Sequence, residues 1–596
     1  MRIEDYALVG DTQTGALVGR NGSIDWLCLP RFDSSACFAA LLGGPENGRW
    51  LLAPCGELRA SRRQYRQDSM VLETELTTDE GTVRLTDFMP PRELTPDLVR
   101  IVEGVSGRVR MRMELVLRTD YGSTVPWVRR VPGGLLAVAG PDAFFLRSSV
   151  PLAGKNMTTV AEFELGPGER AEFVLLWHPS HLPTPAAPDP RTSLGDTDAW
   201  WQEWAAKCTY QGEWREAVMR SLLTLKALTY APTGGIVAAA TTSLPEWVGG
   251  VRNWDYRYCW LRDATLTLYS LMLAGYRDEA QAWREWLLRS VAGDPSKLQI
   301  MYGVAGERRL AEWDVPWLAG YEGSKPVRVG NAAVDQLQLD VYGEVMDALY
   351  LGRRSGLESS EDTWALQRSM MDFLESGWRK QDAGIWEVRG PPRDFTHSKV
   401  MAWTAMDRAV KSVELFGLAG PVDRWRATRA TIHEEVCRKA YDPALGAFTQ
   451  SYGSHLLDAS LLLIPSLGFL PARDPRVLGT VRAIEERLCA DGFVLRYATE
   501  EGGHVDGLPL GEGAFLACTY WLADNYALAG RDADARALFE RLLSLRNDVG
   551  LLAEEYEPRA KRQLGNFPQA FSHVALVNTA FNLGASQHHP AEQRST

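Results

Sequence analysis

Several of the patterns that mark common protein classes are missing from this sequence of 596 residues. No apolar run is long enough to span a bilayer, and the longest, from Leu456 to Leu470, is interrupted by Asp458 and Pro465. The start, Met1-Arg2-Ile3-Glu4-Asp5, is charged and lacks the apolar stretch of a secretory leader. The eight cysteines form no CxxC pair, which indicates free thiols in a reducing compartment. We therefore expect a soluble, cytoplasmic protein.

Motifs for cofactors and metal ions are missing as well. The chain has no phosphate-binding GxxxxGK[ST] loop, no dinucleotide glycine fingerprint, no GxSxG elbow, and no HxxxH or HExxH pair among its nine histidines. Lys and Arg number 64 against 76 Asp and Glu, and this net charge of −12 is untypical of a nucleic-acid or membrane binder. We expect no cofactor, no metal ion, no nucleic acid and no membrane partner, whereas a homo-oligomer is compatible with the sequence.

The first third of the chain has the pattern of a β domain. Short apolar runs separated by turn residues continue to about residue 180, and Asn21-Gly22 between residues 16–19 and 24–27 predicts a hairpin. Residues 109–115 alternate strictly between apolar and polar types, which indicates a sheet with one wet face. The pattern predicts an antiparallel β-sandwich domain over residues 1–190.

The remainder of the chain has the pattern of a helical domain. A proline-rich stretch ends the β pattern, residues 191–213 are expected to hold a linker helix, and the apolar period is 3.6 from residue 214 onward. About twelve helices are predicted between residues 214 and 585, the number needed for six helical hairpins closed into a ring. Residues 586–596 are polar and are predicted to be disordered. The predicted helices are 214–231, 263–276, 278–292, 333–355, 361–379, 397–417, 421–440, 456–466, 474–490, 512–530, 532–546 and 569–584.

Aromatic, arginine and aspartate side chains are concentrated in residues 253–263, just before a predicted helix. Aromatic rings stack on the apolar face of a sugar and charged groups bind neighbouring hydroxyls, so this segment suits carbohydrate recognition. Asp263 could be only a helix N-cap with Arg262 beside it. A cap does not explain four rings within seven residues, and we favour the functional interpretation.

Three other segments carry candidate carboxylates. Glu387 lies between two apolar residues, where poor solvation would raise its pKa and prepare a general acid, although it could equally be a surface residue paired with Arg389. The neighbours Glu554 and Glu555 could supply a base or a metal ligand, or be merely solvated. Glu512 could be a favourable charge at a helix start. Two carboxylates from distant loops at one end of a helical ring would suffice for glycoside hydrolysis.

Taken in order along the chain, these segments resemble the motifs of glycoside hydrolase family 15, which contains glucoamylases, glucodextranases and prokaryotic trehalases. The resemblance implies a β-sandwich packed on an (α/α)6 barrel, and hydrolysis with inversion that releases β-glucose from a non-reducing end. The segments that carry it are 19–26, 253–263, Trp386-Glu387, Arg496-Tyr497, 554–556 and 565–571.

The resemblance also assigns roles to residues. Glu387 matches the general acid of the family, and Glu554, rather than Glu555, matches the general base. The expected substrate-binding residues are Tyr256, Trp260, Arg262, Asp263, Trp386, Arg496, Glu512 and Glu555. Inversion needs a water between the base and the sugar, so the two carboxyl groups should stand about 6.5–9.5 Å apart. We expect Arg262 and Arg496 to keep one carboxylate ionised, and burial against Trp386 to keep the other protonated.

The expected substrate is α,α-trehalose, because the N-terminal domain is of the type found in prokaryotic trehalases and a leaderless chain suits a soluble disaccharide. The alternative is a glucoamylase-type enzyme acting on malto- or isomalto-oligosaccharides, since selectivity within such a pocket comes from the loops around its outer part. A sugar-binding protein with an inactive site is a hypothesis from another class. The presence of both carboxylates counts against it.

Overall fold

The computed structural model of the protein describes residues 1–357, 360–498, 506–509 and 511–584. The predicted disordered tail, 586–596, lies outside these residues. Within the described ranges, no helix is both long enough and apolar enough to cross a bilayer. All eight cysteines are free thiols.

The N-terminal part is a sandwich of two antiparallel sheets with eight strands each. The strands are β1 (Tyr6–Gly10), β2 (Gly15–Gly19), β3 (Ser23–Cys28), β4 (Ala36–Phe38), β5 (Arg49–Pro54), β6 (Ala60–Tyr65), β7 (Leu72–Thr78), β8 (Gly81–Phe88), β9 (Asp97–Gly107), β10 (Val109–Val116), β11 (Trp127–Val131), β12 (Gly134–Ala139), β13 (Asp142–Ser148), β14 (Ala153–Lys155), β15 (Thr158–Leu165) and β16 (Arg170–Pro179). The first sheet has the order β1-β2-β3-β5-β10-β15-β14, with β4 beside β3, and the second has the order β11-β12-β13-β16-β9-β8-β7-β6.

Strand β10 shows how the sequence pattern produces this sandwich. Its side chains alternate between the two faces of the sheet, as a period of two requires, so Met111 and Met113 are buried between the sheets while Arg110 and Arg112 face solvent. The β-sandwich predicted from these alternations is confirmed.

Twelve α-helices, joined by long loops, form the framework of the remaining chain that the structure describes. They are α1 (Pro190–Ala205), α2 (Arg215–Ala227), α3 (Leu261–Leu273), α4 (Arg277–Val291), α5 (Asp340–Arg354), α6 (Glu361–Gly377), α7 (Thr396–Phe416), α8 (Val422–Lys439), α9 (Pro475–Arg487), α10 (Leu516–Ala529), α11 (Asp532–Leu543) and α12 (Ala570–Gly584). The linker helix α1 is capped by Asp189, whose carboxylate accepts hydrogen bonds from the backbone N–H groups of Arg191 and Thr192.

Six of the helical segments form a closed inner ring in the order α3, α5, α7, the 3-10 helix Ala459–Leu463, α10, α12 and back to α3. The helices α2, α4, α6, α8, α9 and α11 pack outside this ring, each against an inner neighbour. The arrangement is an (α/α)6 barrel, and the predicted fold class is confirmed.

Three predicted helices differ in their extent. The segment 456–466 forms only the short 3-10 helix Ala459–Leu463, because Pro465 cannot continue a helix. The helix predicted over 512–530 begins at Leu516, since its first residues carry glycines and pair with another strand. The helix predicted over 333–355 begins at Asp340 after a separate 3-10 turn, Ala332–Asp335.

Short strands that the sequence did not reveal join the helices. They are β17 (Thr229–Tyr230), β18 (Gly235–Ile236), β19 (Thr242–Pro245), β20 (Asn253–Asp255), β21 (Cys259–Trp260), β22 (Met301–Tyr302), β23 (Trp313–Asp314), β24 (Arg328–Val329), β25 (Tyr441–Asp442), β26 (Ala447–Phe448), β27 (Cys489–Ala490), β28 (Phe493–Val494), β29 (Ala514–Phe515), β30 (Glu555–Glu557) and β31 (Arg562–Leu564). Most of these strands are only two or three residues long, which is too short to show a period in the sequence.

The sandwich packs on the barrel through the sheet edge that contains β1 to β3. The Trp26 indole N–H donates to the Ala240 carbonyl at 2.8 Å, and the Asn547 amide donates to the Tyr6 carbonyl at 2.8 Å. The Arg257 guanidinium is fully buried between the two parts and pairs with Asp255 at 2.6 Å. These contacts fix the loop that leads into α3.

Candidate active site

A pocket of about 710 Å³, its mouth included, opens at one end of the helical ring. Its walls come from the segments that precede the inner helices α3, α5, α7, α10 and α12. Since these helices are neighbours in one ring, segments far apart in the sequence meet around the same space.

Eight of the ten residues singled out in the sequence line this pocket. They are Tyr256, Trp260, Arg262, Asp263, Trp386, Glu387, Arg496 and Glu554. The other two, Glu512 and Glu555, are buried behind its wall and contact Arg496 instead.

Glu387 is held in a defined orientation by the loop before α3. Its Oε1 accepts a hydrogen bond of 2.7 Å from the Trp260 indole N–H and lies 3.8 Å from Arg262 Nη1. It is therefore not the surface residue paired with Arg389 that the sequence left open, since Arg389 pairs with Glu312 at 3.2 Å. Burial raises the pKa of Glu387, and the Arg262 charge and the Trp260 hydrogen bond oppose the increase.

The backbone at Glu387 is strained. Its φ of +57° lies in the left-handed region, which costs a residue with a side chain about 1–3 kcal/mol. The loop holds it there because Glu387 N–H donates to the Gly384 carbonyl and the Gln336 amide donates to the Glu387 carbonyl. Such strain is characteristic of positions whose side chain must point in one direction.

Arg262 connects the two walls of the pocket. Its Nε donates to Asp263 at 2.8 Å, its Nη1 donates to the Ile385 carbonyl at 2.7 Å, and its guanidinium lies 5.4 Å from the centre of the Phe571 ring. Asp263 lies in the first turn of α3 and no side chain caps that helix, so the N-cap interpretation is wrong.

Trp386 lines the pocket with its ring but is not the partner of Glu387. Its indole N–H donates to Asp458 at 2.9 Å, and its ring packs against Phe515 and Trp521. Asp458 caps the 3-10 helix of the inner ring through the Ser460 N–H. The ring of Trp386 is thus fixed by the start of the 3-10 helix, by the strand β29 and by the helix α10.

Glu554 lies deep in the pocket, with only 2% of its surface exposed. The segment before it is fastened on two sides, because the Leu552 N–H donates to His573 and the Ala553 N–H donates to Gln563. Burial, followed by the charge of Glu246, raises the pKa of Glu554 to about 8, while Arg496 and a hydrogen bond from Tyr256 act to lower it. Its Oε2 is buried and has no hydrogen-bond partner within the described ranges.

Behind Glu554 lies a cluster of acidic side chains around Arg496, which we call the carboxylate cluster. Arg496 Nη2 lies 2.9 Å from Glu246, 2.6 Å from Glu512 and 3.6 Å from Glu555. A second guanidinium, Arg252, contacts this cluster from the other side. It lies 3.3 Å from Glu512 and 3.8 Å from Glu246.

Glu555 is the most enclosed member of the cluster. Its Oε2 accepts from the Gly513 N–H at 2.7 Å, and its Oε1 has no hydrogen-bond partner among the described residues. Burial and the charge of Glu246 raise its pKa well above the usual value.

The sequence predicted that the pKa values of Glu387 and Glu554 would be pushed apart. In the structure, burial raises the pKa of both.

Several lining residues were not among the predicted site residues: Glu246, Trp254, which belongs to the predicted recognition segment, and Arg389, which was considered only as a partner of Glu387. Glu246 stands between Pro245 and Trp247, the same apolar setting that singled out Glu387, so the signal was present. Trp254 donates its indole N–H to Glu246 at 3.1 Å. The Arg389 guanidinium lies 4.3 Å from the centre of the Trp254 ring. All three residues line the same pocket.

Within the described residues, no set of three or more His, Cys, Asp or Glu side chains is arranged to hold a metal ion. The oxygen atoms of the carboxylate cluster are instead occupied by guanidinium and backbone N–H groups.

A helical ring with two buried carboxyl groups and several aromatic rings around one sugar-sized pocket defines a glycoside hydrolase. The sequence model of glycosyl hydrolases family 15 matches residues 212–581, and the chain belongs to this family. A second model, trehalase-like N-terminal, matches residues 1–161. The family resemblance predicted from the motifs is confirmed.

Curated relatives match over almost the whole length. The chain is 38% identical to a trehalase of Mycobacterium tuberculosis, over 98% of this chain and 89% of that protein. It is 35% identical to a trehalase of Thermoplasma acidophilum, over 95% of this chain and 97% of the other.

Among solved structures, a bacterial glucoamylase complexed with acarbose superimposes with a TM-score of 0.72. The match covers 98% of this chain and 94% of the glucoamylase, at 14% identity. At this level of identity the likeness concerns the fold, in which the sandwich and the barrel occur together.

Proposed function

We propose that the protein is an α,α-trehalase that hydrolyses trehalose with inversion, using Glu387 as general acid and Glu554 as general base. The observation that carries the proposal is that these two carboxyl groups, 167 residues apart in the sequence, line one pocket. The choice of trehalose is supported by the relatives named trehalase and by the match of the N-terminal domain.

The proposed reaction begins with proton transfer from Glu387 to the oxygen between the two glucose units. The raised pKa of Glu387 favours the protonated form that an acid needs. Trp260 and Arg262 stabilise the carboxylate that remains after the transfer, because they contact Glu387 at 2.7 and 3.8 Å.

Glu554 accepts a proton from the water that attacks the anomeric carbon on the opposite face of the ring. The C–O bond to the leaving glucose breaks as the new C–O bond forms, so the attacked unit leaves as β-glucose and the other as α-glucose. Glu554 must be ionised for this step. Its pKa near 8 places the onset of activity at a higher pH than an ordinary glutamate would.

The other predicted residues are proposed to hold the terminal glucose or the base. Arg262 and Asp263 present paired polar groups to sugar hydroxyls, while Tyr256, Trp260 and Trp386 supply aromatic surface. For Glu512 and Glu555, which do not line the pocket, we propose an indirect role.

Glu512 and Glu555 are positioning residues that fix the guanidinium of Arg496 next to Glu554. We infer that Glu555 carries a proton, because burial and the charge of Glu246 raise its pKa and its Oε1 meets the Arg496 guanidinium only at 3.6 Å, without a hydrogen bond. This arrangement leaves one negative charge fewer beside the base.

The test is a substrate panel of trehalose, maltose and isomaltose with glucose release as the readout. We expect turnover of trehalose, and the variants E387Q and E554Q should each lose at least a thousandfold in kcat. Glu279, a buried glutamate paired with Lys226 away from the pocket, provides the matched control variant E279Q. If E554Q remains active and E555Q is inactive, the assignment within the pair is wrong.

Product stereochemistry gives an independent test. Proton NMR of fresh product should show α- and β-glucose in equal amounts, because only the attacked unit inverts. Exclusive α-glucose would exclude inversion, and turnover of maltose with none of trehalose would favour a glucoamylase-type activity.

We further propose that the enzyme works in the cytoplasm. The support is chemical: all eight cysteines are free thiols, which persist in a reducing compartment.

A further inference from the structure

A second cavity opens at an edge of the β-sandwich. Its volume, mouth included, is about 1360 Å³. Its lining residues fall between positions 115 and 175, within the sandwich, and it shares none of them with the pocket of Glu387 and Glu554. The last strands of the two sheets, β11 and β14, border the cavity, so it opens between the sheets where neither is extended further.

The floor of this inter-sheet cavity is apolar. Side chains from both sheets face each other there, and all are buried at the inner end of the space. They are Leu115, Leu135, Ala137, Phe144, Leu146 and Leu175. A floor of this kind offers dispersion contacts and no hydrogen bonds, so it suits an apolar body.

Four cationic residues contribute to the lining of the same cavity: Arg118, Arg129, Arg130 and Lys155. Arg130 pairs across the strands with Leu135 of the floor and therefore faces the inner side, whereas Arg129 pairs with Leu136 and faces outward. Lys155 pairs with Thr158, next to the inward-facing Thr159, and also faces outward. No Asp or Glu lines it, and none of the four forms an ion pair within the part of the chain that the structure describes. The guanidinium of Arg118 donates to the backbone carbonyls of Leu117 and Met157 at 2.7 and 3.2 Å.

Several other cations of the sandwich do form ion pairs. On the sheet surface next to it, Arg110 pairs with Glu162 at 3.4 Å, and in the core Arg100 pairs with Asp87 at 2.7 Å. Acidic residues outnumber basic ones by 12 in the whole chain. Arg118 and Arg130, which donate only to backbone carbonyls, therefore leave a local positive potential at the cavity that an anion would neutralise.

The mouth of the cavity also exposes large apolar side chains. Val125, Trp127, Val128 and Met157 are exposed by 49%, 69%, 45% and 77%. Scattered single apolar residues need no explanation, but a group of four at the entrance of a cavity is characteristic of a binding site.

We propose that the inter-sheet cavity binds a soluble aliphatic carboxylate, with its chain on the apolar floor and its head group beside Arg118 and Arg130. An inorganic anion would satisfy the cations and leave the floor empty. A neutral hydrocarbon would fill the floor and leave the cations unpaired. The combination of both features is what selects an amphiphilic anion.

The direct test is isothermal titration calorimetry of the full chain with decanoate, kept below the concentration at which it forms micelles. We expect saturable binding of one equivalent. Shortening the probe to octanoate removes two CH2 groups and should weaken binding by about fifteenfold, because each buried CH2 changes affinity about fourfold. Decanol and decyltrimethylammonium, which lack the negative charge, should bind at least tenfold more weakly than decanoate.

Variants separate the two parts of the site. R118Q and R130Q should each weaken decanoate binding by about tenfold, and A137F should abolish it by filling the floor. R110Q, on the outer face of β10, removes the same charge and should leave binding unchanged. Circular dichroism of each variant checks the fold, and A137F keeps the test valid if an arginine variant does not fold.

Four results would overturn the proposal. Equal binding of decanol would exclude the role of the cations, and binding of inorganic phosphate with no dependence on chain length would exclude the floor. Unchanged binding in R118Q, R130Q and A137F would place the ligand elsewhere. If decanoate does not bind and W127S converts a dimer into monomers in sedimentation experiments, the mouth is an interface between two copies of this chain.

Discussion

The most informative perturbation of the proposed base is the substitution Glu246→Gln. Glu246 lines the pocket and shares Arg496 with the carboxylate cluster at 2.9 Å. Its charge is the largest contribution after burial that raises the pKa of Glu554. Removing this charge lowers the pKa of Glu554, so the base is ionised to a lower pH and the acidic limb of the activity profile moves down.

The size of this shift follows from Coulomb's law. Two unit charges taken as roughly 8 Å apart interact by about 2 kcal/mol at an effective dielectric constant of about 20. One pKa unit corresponds to about 1.4 kcal/mol, which gives about 1.5 units. Glu246 is itself incompletely ionised because burial raises its own pKa, so the expected shift is about one unit.

The assay is kcat/KM for trehalose between pH 4 and 9, whose limbs report the ionisations of the free enzyme. E279Q removes the same charge from a buried pair with Lys226 outside the pocket and should leave the limb in place. An acidic limb of E246Q that stays where it is, or moves to higher pH, would refute the assignment of this limb to Glu554.

Three other substitutions test the site. W260F removes the 2.7 Å hydrogen bond that favours the ionised form of Glu387, so the pKa of Glu387 should rise by about one unit. The alkaline limb of the pH profile of kcat should therefore move to higher pH. R496Q leaves the carboxylate cluster without its central cation, and urea unfolding should show a loss of about 3–5 kcal/mol of stability. The loss should be larger at pH 8 than at pH 5, because the carboxyl groups take up protons at low pH and then need the cation less. G565A places a Cβ 2.6 Å from an oxygen of Glu554, at a residue whose φ is +76°, so kcat should fall at least tenfold. The control is G417A, where φ is also positive but the added Cβ meets nothing within 4 Å.

Much of the fold was predictable because its signals are local. The strict alternation in β10 and the period of 3.6 in the helices each reflect which side chains face the core. Helix α4 illustrates this: the stripe of Ala280, Trp283, Leu287 and Val291 is buried as its spacing indicates. The predicted range 278–292 is within one residue of the observed Arg277–Val291.

The short strands and the 3-10 helix of the inner ring were not predictable on the same grounds. A pair such as β29 with β30 is set by contact between residues about forty positions apart, and two residues carry no period. The 3-10 helix Ala459–Leu463 occupies a place in the ring that elsewhere holds a full helix, and only the ring shows that so few residues suffice there.

The site residues also divide into those that local sequence could predict and those that it could not. Glu387 and Glu554 could be found because each lies in a segment with an unusual local composition. Glu246 has such a setting too, but its importance depends on Arg496, which is 250 positions away in the sequence. Contacts of this length are visible only once the ring has closed.

The pair Glu554-Glu555 shows how one dipeptide serves two purposes. Glu555 begins β30 and its backbone is paired with Phe515, which directs its side chain to the Gly513 N–H and Arg496. Glu554, one residue earlier, is directed to the opposite side and into the pocket. Adjacent acidic residues are ambiguous in a sequence, but on an extended chain only one of them can face a given side. The strand register, rather than the composition, therefore selects Glu554 as the carboxyl group that faces the pocket.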